Sequence, residues 1–406
     1  MASQQSSRVE APNAPSRLRR TELLADLVGI NSVNPDHAGP KSGPGGEGPL
    51  AHWIAEKARA MGADVTLDEV MPGRPNIYCL FPGSDGTENG SGASSKTVCV
   101  DVHLDTVGVE HMPDDPFHGR IADGRVYGRG SVDTKATFAV VLEMLESLSD
   151  EGRRLGPNLL LAGSISEEMG GFPGAFAMQE RLKEDVFSVD QIVVAEPTMC
   201  APVYGHKGGL GLQVTVRGSA AHSSKPHLGE NAVVAGSRVV AALEAEHERL
   251  VSGDAPTEVG TGTLAVTEIH GGLARNIIPD ECFIFGDRRV APGEDVETMF
   301  SKLRELVAKA ASPAEVEVAL SYDRVMPGFY RPADSDLVQE LSEISGVPAD
   351  IASFGTNALA YNDLAADIVV FGPGSIDQAH KAVEWVDIDQ LDIAGSIYRQ
   401  WLTRHA

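Results

Sequence analysis

Basic residues and long apolar stretches are scarce in this sequence of 406 residues. It has 33 Lys and Arg and 58 Asp and Glu, which give a formal net charge of −25. That balance argues against nucleic acid or an anionic membrane as a partner, because both require clustered cations. No apolar run approaches the ~20 residues needed to cross a bilayer, and the N-terminal segment lacks the apolar core of a signal peptide. We therefore expect a cytoplasmic protein.

Cysteine is also rare, and its spacing excludes two classes of protein. The sequence has no C-x-x-C pair and no dense set of cysteines, which argues against a disulfide framework and against a cysteine-based metal site. The four residues are Cys79, Cys99, Cys200 and Cys282. They are expected to be reduced and mostly buried thiols, which agrees with a cytoplasmic location.

The rest of the composition is typical of a folded protein with more than one domain, at 42% hydrophobic and 22% charged residues. Residues 1–18 are rich in Ser, Gln, Pro and Arg and are expected to form a disordered tail. After the tail, short continuous apolar runs such as 158–164 and 191–195 alternate with helical patterns. That alternation predicts an α/β architecture with a mixed, mainly parallel sheet flanked by helices.

A different pattern begins near Gly208. Four segments alternate apolar and polar residues, as half-exposed strands do, and two long helical segments accompany them. This pattern favours an inserted α+β sandwich of ~110 residues. We therefore predict a discontinuous α/β domain at 19–207 and 324–406, interrupted by the sandwich at 208–323.

The stretch VCVDVHLDT holds the first candidate functional residues. His103 and Asp105 should project to the same side, because strand side chains alternate faces. An imidazole can bind a metal through one nitrogen while a nearby carboxylate fixes its tautomer. Further along, Asp133 lies at a predicted loop-to-helix junction. A polar pair on a strand and a helix N-cap are the simpler structural interpretations of these residues.

Further residues of the metal-ligand type end other predicted strands. Glu167 and Glu168 follow NLLLAGSIS and precede two glycines, and two adjacent carboxylates can take different roles, one as a ligand and one as a base. An exposed acidic pair is the alternative. Glu196 stands before Pro197, where the chain must leave the sheet, and His380 follows the last strand through a Gly/Pro loop. Ends of several strands meet in the crevice where open α/β sheets bind ligands, which favours a metal site.

Together these motifs resemble the dinuclear zinc hydrolases, a family that includes acetylornithine deacetylase, succinyl-diaminopimelate desuccinylase, aminoacylase and the glutamate-releasing carboxypeptidases. The resemblance covers nearly the whole chain after the tail. It implies two zinc ions per subunit, for which cobalt can substitute, and a homodimer. It also implies that the α/β domain is catalytic and that the insertion is a lid and dimerisation domain.

The resemblance also implies roles for the candidate residues. The implied metal ligands are His103 and Glu196 for one zinc, Glu168 and His380 for the other, and Asp133 for both. Asp105 is implied to support His103, and Glu167 to be the general base. Glu at position 196 resembles the deacylase branches more than the peptidase branches, and the loop FGPGSIDQAHKAVEW is most similar to the acetylornithine deacetylases.

Substrate contacts are implied in the inserted domain. His222, in GSAAHSSKP, is expected to reach the oxyanion of the tetrahedral intermediate from the partner subunit. Arg289 and Asn276 match positions that hold the α-carboxylate of the substrate, for which the planar fork of arginine is well suited. Arg288 should lie on the opposite face of the same strand and is the weaker candidate.

The stretch FGTNA supplies the last implied substrate contacts, Gly355 and Thr356. It departs from many relatives at Asn357, where they carry an acidic residue. The resulting expectation is zinc-dependent hydrolysis of the amide bond of an N-acyl amino acid, most similar to acetylornithine deacetylation. A desuccinylase or a carboxypeptidase-like dipeptidase acting on a short peptide is the alternative, and a non-catalytic metal- or amino-acid-binding protein is a more distant one.

Overall fold

The computed structural model describes residues 14–84, 96–184, 187–321 and 324–404. These residues belong to two compact units. The first unit lies within 1–204, 331–350 and 356–406, and the second within 205–330 and 351–355. The predicted tail of residues 1–18 needs a correction, because the first helix already begins at Ala14. The remaining tail residues, 1–13, lie outside the described part of the chain.

The described residues form both helices and strands. The helices are α1 (Ala14–Val28), α2 (Gly48–Ala60), α3 (Lys135–Asp150), α4 (Pro173–Lys183), α5 (Ala232–Val251), α6 (Val296–Ala311), α7 (Asp336–Ser345) and α8 (Ile388–Leu402). The strands are β1 (Asp64–Met71), β2 (Arg74–Phe81), β3 (Thr97–His103), β4 (Arg120–Ala122), β5 (Arg125–Tyr127), β6 (Asn158–Ser164), β7 (Gln191–Val194), β8 (Val203–His206), β9 (Gly208–Arg217), β10 (Ala221–His222), β11 (Thr263–Gly271), β12 (Ile277–Ile278), β13 (Glu281–Val290), β14 (Glu315–Leu320), β15 (Phe329–Tyr330), β16 (Asp350–Ala352), β17 (Asp367–Val370) and β18 (Trp385–Asp387). Among the described helices, none combines the length and the apolar character needed to span a membrane.

A mixed sheet with a parallel centre forms the core of the first unit. Strands β6, β3, β7 and β17 run parallel side by side, and β2 and β1 continue one edge in antiparallel fashion. Strand β3 is buried from Val98 to His103, as expected for a central strand covered on both faces. Helix α3 packs against α1 and α8. The predicted α/β class with a sheet flanked by helices is confirmed.

The second unit contains a four-stranded antiparallel sheet in the order β11-β13-β9-β14. Alternate residues of β9 and β13 are buried, and they pack against α5 and α6 in one apolar core that includes Val214, Val239, Ile284 and Val307. The period-2 pattern of the sequence arises from this arrangement, because each strand has one face against the helices. These elements are the α+β sandwich that the sequence predicts for the insertion.

A buried carboxylate on β3, that of Asp101, binds the side chain of Asn357. The Asp101 oxygens accept hydrogen bonds from the Ser164 hydroxyl at 2.8 Å, the Asn357 amide at 3.0 Å and the Tyr361 hydroxyl at 2.7 Å. Burial raises the pKa of Asp101, and the three hydrogen bonds oppose that effect. An ionised acid at position 357 could not donate to this carboxylate, whereas the amide can.

Asn357→Asp is therefore expected to lower the free energy of unfolding by about 3 kcal/mol at pH 7.5, because it buries a second carboxylate without a partner cation. The variant carboxyl should have a folded-state pKa above its unfolded value, so its penalty is full above that pKa and shrinks as the pH falls. Urea unfolding of variant and wild type at pH 7.5 and 5.5 measures both effects.

Asn362→Asp is the matched control, since Arg331 Nη1 lies 3.1 Å from Asn362 Oδ1 and can pair with the new charge. This control should cost little stability at either pH. Equal losses in the two variants would contradict the explanation.

Candidate metal centre

The parallel strands bring the predicted ligands to one edge of the sheet. His103 is the last residue of β3, Glu196 follows β7, and His380 follows β17 through a loop. Asp133 lies in the turn before α3. Because the carboxyl ends of parallel strands share an edge, residues that are distant in the sequence converge there.

Asp133 lies between two histidines. Its Oδ1 atom is 2.9 Å from His103 Nε2, and its Oδ2 atom is 3.4 Å from His380 Nε2. His380 Nε2 is also 2.9 Å from Glu168 Oε2. Ligand atoms of His103, Asp133 and Glu196 lie within 4.8 Å of one another, and so do those of Asp133, Glu168 and His380. The five predicted ligands thus form two groups that share one carboxylate.

The two groups fit a pair of divalent metal ions. Glu168 Oε1 is buried and has no hydrogen-bond partner among the described residues, as expected for an oxygen that awaits a cation. Imidazole nitrogens and carboxylate oxygens are the ligands of catalytic zinc sites, which also keep a position open for water or substrate. The first group is buried, whereas the His380 side chain is 54% exposed. The second group therefore opens to solvent.

Without a cation, this cluster holds protons near neutral pH. Burial and then the charge of Asp133 raise the pKa of Glu196 well above its usual range. Burial raises the pKa of Glu168 to about 7, with Asp133 again adding to the effect. Hydrogen bonds with Asp133 and Glu168 raise the pKa of His380 to about 10. Divalent cations would replace these protons, so metal binding is expected to release them.

Glu167 lies next to the second group on the loop after β6. Burial raises its pKa well above the usual range of a glutamate, and the charges of Glu168, Asp105 and Asp133 contribute to the increase. A carboxyl group with a raised pKa can both accept a proton from water and hold it long enough to pass it on. The assignment of Glu167 as general base stays a prediction, and this environment suits it.

Asp105 holds the ligand loop as well as the histidine. His103 Nδ1 lies 2.9 Å from the backbone oxygen of Asp105 but 3.7 Å from its carboxylate Oδ1. The carboxylate accepts the backbone N–H of Glu167 at 3.0 Å and that of Glu168 at 3.1 Å. Sequence reasoning predicts the partnership with His103 alone. The structure adds that Asp105 fixes the two carboxylates that follow β6.

Two buried residues that sequence reasoning missed support the same loop. Asn34 Nδ2 donates to Asp105 Oδ2 at 2.8 Å and to Ser166 Oγ at 3.2 Å. Glu47, paired with Arg74, accepts the N–H of Ser166 at 3.2 Å. Ser166 has a φ of 57°, a left-handed conformation that costs a non-glycine residue roughly 1–3 kcal/mol and needs such support. No pattern around Asn34 or Glu47 signals these contacts in the sequence.

Two of the predicted substrate residues are neighbours in the second unit. His222 on β10 pairs with Ile277 on β12, and the backbone N–H of Ser223 donates to the backbone oxygen of Asn276 at 2.9 Å. The His222 ring is exposed, and its Nδ1 lies 2.7 Å from the Ser224 hydroxyl oxygen. The structure thus brings His222 and Asn276 together, and their roles stay predictions.

The arginine pair on β13 follows the alternation of the strand. Arg289 is exposed and donates through Nε to Asp287 Oδ1 at 2.7 Å. Arg288 is buried and paired with Glu294. This difference agrees with the preference for Arg289 as a carboxylate-binding residue, because only an accessible guanidinium can meet a substrate.

The predicted substrate contacts of FGTNA fall in different units. Gly355 belongs to the second unit and Thr356 to the first. Thr356 is buried, and its hydroxyl oxygen accepts the N–H of Ala358 at 3.1 Å. The described contacts therefore give Thr356 a local structural role as the N-cap of a short 3₁₀ turn, and substrate binding by these two residues stays a prediction.

The profile of Peptidase family M20/M25/M40 matches residues 99–404, a span that includes all five predicted ligands. The chain belongs to this family. The protein is a metal-dependent hydrolase, because it belongs to the M20 family and has deacetylases among its relatives. This confirms the expected class of enzyme.

The M20 relatives resemble this chain along most of its length. The acetylornithine deacetylase of Aliivibrio salmonicida is 27% identical over 392 residues, which cover 95% of this chain and 98% of the relative. A tripeptidase structure from Staphylococcus aureus has a TM-score of 0.75 at 22% identity, covering 95% of this chain and 98% of the other. A dinuclear metal binding peptidase of the M20 family from Bacillus subtilis has a TM-score of 0.68 at 13% identity, covering 96% and 98%. At these identities, the structural similarities establish the shared fold.

Proposed function

We propose that this M20 protein hydrolyses the amide bond of an N-acyl amino acid in a zinc-dependent reaction, as an enzyme of the acetylornithine deacetylase type. The supporting observation is the pair of ligand groups that share Asp133, with Glu167 on the adjoining loop. The Aliivibrio salmonicida relative, an acetylornithine deacetylase, supports the substrate class. The Bacillus subtilis relative, which is described as dinuclear, supports two ions per subunit.

Zinc ions in the two groups would polarise the carbonyl oxygen of the substrate and lower the pKa of the attacking water. Glu167 takes a proton from that water and later passes it to the leaving nitrogen. Asp105 keeps Glu167 in place, because the Asp105 carboxylate accepts a hydrogen bond from the backbone N–H of Glu167 at 3.0 Å. This reaction needs no serine or cysteine nucleophile, and cobalt, which has similar ligand preferences, should replace zinc.

The same proposal includes a homodimer with substrate contacts from the second unit. His222 donates a hydrogen bond to the oxyanion from the partner subunit, and the Ser224 hydroxyl at 2.7 Å from Nδ1 orients its ring for that purpose. Arg289 and Asn276 bind the α-carboxylate. Arg289 is preferred to Arg288 because it is accessible, whereas Arg288 is paired with Glu294.

Mixed dimers of a His222→Ala chain with a Glu167→Ala chain should regain activity, because one of the two sites then has both an intact Glu167 and an intact His222 from the partner. Mixed dimers that stay inactive would contradict action across the dimer.

A substrate panel tests the proposed activity. The zinc- or cobalt-loaded protein should hydrolyse N-acetylornithine with a kcat/KM at least about tenfold above those for N-succinyl-diaminopimelate and a set of dipeptides, because a site built for one acyl group discriminates at that scale or more. Chelator-treated protein is the control and should be inactive. A preference for the succinyl compound or for a dipeptide would identify the alternative enzymes. Metal binding without any hydrolysis would support a binding protein instead.

A further inference from the structure

A buried carboxylate that the proposed reaction does not use lies just beyond His380. Glu384 is 1% exposed, and its Oε1 atom accepts the backbone N–H of Val132 at 3.1 Å and that of Asp133 at 3.3 Å. The side chain therefore holds the backbone of the residue that both ligand groups share.

Arg129 joins this carboxylate to the segment that carries the exposed histidine. Its guanidinium is buried and donates through Nη1 to Glu384 Oε2. Nη2 donates to the backbone oxygens of Gly108 at 3.1 Å and Lys381 at 3.4 Å. Lys381 is the residue after His380. A single guanidinium therefore contacts both the Glu384 carboxylate, which binds the Asp133 backbone, and the backbone next to His380.

His111 adds a second contact to the same segment. Its Nε2 atom lies 3.4 Å from Arg129 Nη2 and 3.3 Å from the backbone oxygen of His380. His380 has a φ of 61°, a left-handed conformation that a histidine holds only when its surroundings favour it. The contacts from Arg129 and His111 lie where that support is needed.

Both segments also adjoin the same small sheet, which the sequence does not predict: Arg129 follows β5 and Glu384 precedes β18. Strands β4, β5 and β18 form a three-stranded antiparallel sheet in which Trp385 pairs with Tyr127. The N–H of Gly128 donates to the Glu384 backbone oxygen at 3.1 Å. Arg129 and Glu384 therefore stand next to a paired element and have little freedom to move.

We propose that Glu384 and Arg129 are positioning residues that set the separation between the Asp133 carboxylate and the His380 imidazole, and thereby the affinity and geometry of the metal site that these two residues share. This inference depends on the proposed metal-dependent function. A buried ion pair could stabilise the fold at any place, but here one Glu384 oxygen binds the backbone of the shared ligand and the arginine reaches the neighbour of the other ligand. Replacement of a residue that holds a metal ligand in place without binding the metal itself typically weakens metal affinity by about 10–100-fold.

Glu384→Gln and Arg129→Lys test the proposal. Both keep the approximate size of the side chain. The first removes the negative charge, and the second removes the fork that joins Glu384 to the Lys381 backbone. Each variant should bind at least one of the two zinc ions about 10–100-fold more weakly, as measured by competition with a chromophoric chelator. The visible absorption spectrum of the cobalt-loaded protein should also change, since it reports the geometry of the ligands independently of turnover.

Glu143→Gln is the matched control for a loss of stability alone. Glu143 is a buried carboxylate on α3 that pairs with the buried Arg20 Nη2 at 2.5 Å, and Arg20 belongs to α1 and not to a ligand loop. This variant should lower the unfolding temperature while zinc affinity and the cobalt spectrum stay as in the wild type.

Unchanged zinc affinity and cobalt spectrum in both Glu384→Gln and Arg129→Lys would overturn the proposal, and so would an equal spectral change in Glu143→Gln. The wild-type titration separates this inference from the proposed function. Wild-type protein that binds no zinc would refute both, whereas wild type that binds two ions without hydrolysing any substrate would refute the function and leave the positioning role to be decided by the variants.

Discussion

Glu167→Gln should abolish most turnover while both metal sites remain filled. The amide keeps the size of the side chain but cannot accept a proton from water, and general acid–base groups typically contribute 10²–10⁴-fold to rate. We therefore expect kcat to fall by about 10²–10⁴-fold with little change in zinc content. Steady-state kinetics on N-acetylornithine and metal analysis of the same preparation measure the two quantities together.

Glu180→Gln is a suitable control for this experiment, because Glu180 lies exposed on α4 and pairs with Lys183 at 3.4 Å. It should have wild-type kinetics. If Glu167→Gln keeps full turnover, the proposed base is wrong. If it loses activity only in proportion to lost zinc, Glu167 acts on the metals instead of on a proton.

Removal of Asp133 should have a larger effect on metal content than removal of any other ligand. Asp133 directs one oxygen to His103 and the other to His380, so it belongs to both groups, whereas Glu196 and His380 belong to one group each. Asp133→Ala should therefore lose both zinc ions, while Glu196→Ala and His380→Ala should each lose one and keep the other. Zinc stoichiometry after dialysis measures the three outcomes.

Retention of one tightly bound zinc by Asp133→Ala would show that the groups do not share this carboxylate as a bridge. Loss of both ions in Glu196→Ala and His380→Ala as well would show that each site depends on the other. His118→Ala is a useful comparison, because His118 is exposed and belongs to neither group of ligand atoms. We expect this variant to keep two ions.

Metal binding should also weaken as the pH falls, because protons compete with the cation for the same ligands. In the metal-free protein, hydrogen bonds with Asp133 and Glu168 raise the pKa of His380 to about 10, and burial raises that of Glu168 to about 7. Both groups must be deprotonated to bind a cation, so zinc should displace protons at pH 7 and bind more weakly as the pH falls. Calorimetric titrations in buffers of different ionisation enthalpy would detect the released protons, and an affinity that does not change between pH 6 and 8 would contradict the expectation.

Local patterns were sufficient for much of the fold. Continuous apolar runs predict the buried parallel strands β6 and β7, and alternation along β9 and β13 predicts the antiparallel sheet of the second unit. The predicted tail of residues 1–18 includes the start of α1, because Pro15 and Ser16 are typical of a disordered tail, although proline is tolerated in the first turn of a helix. The short strands β4, β5 and β18 are not predicted, since three residues carry too little periodicity to be recognised.

The candidate ligands were also accessible to sequence reasoning, because residue type and position at strand ends are local properties. His103 and Glu196 stand at or just after buried strands, and His380 follows one through a Gly/Pro loop. The choice between Glu167 and Glu168 as base and ligand was different. Residue type alone left both orders open, and the resemblance to the zinc hydrolases supplied the assignment.

The sequence by itself determined the fold class through strand periodicity, the candidate metal ligands through residue type at strand ends, and the enzyme family through its resemblance to the dinuclear zinc hydrolases. Only the tertiary structure decided that Asp133 faces a histidine with each oxygen, that Asp105 accepts the N–H groups of the ligand loop, and that Glu384 holds the Asp133 backbone. Each of these contacts joins segments distant in sequence. Their geometry depends on how the sheet, helices and loops pack together, which no local pattern encodes.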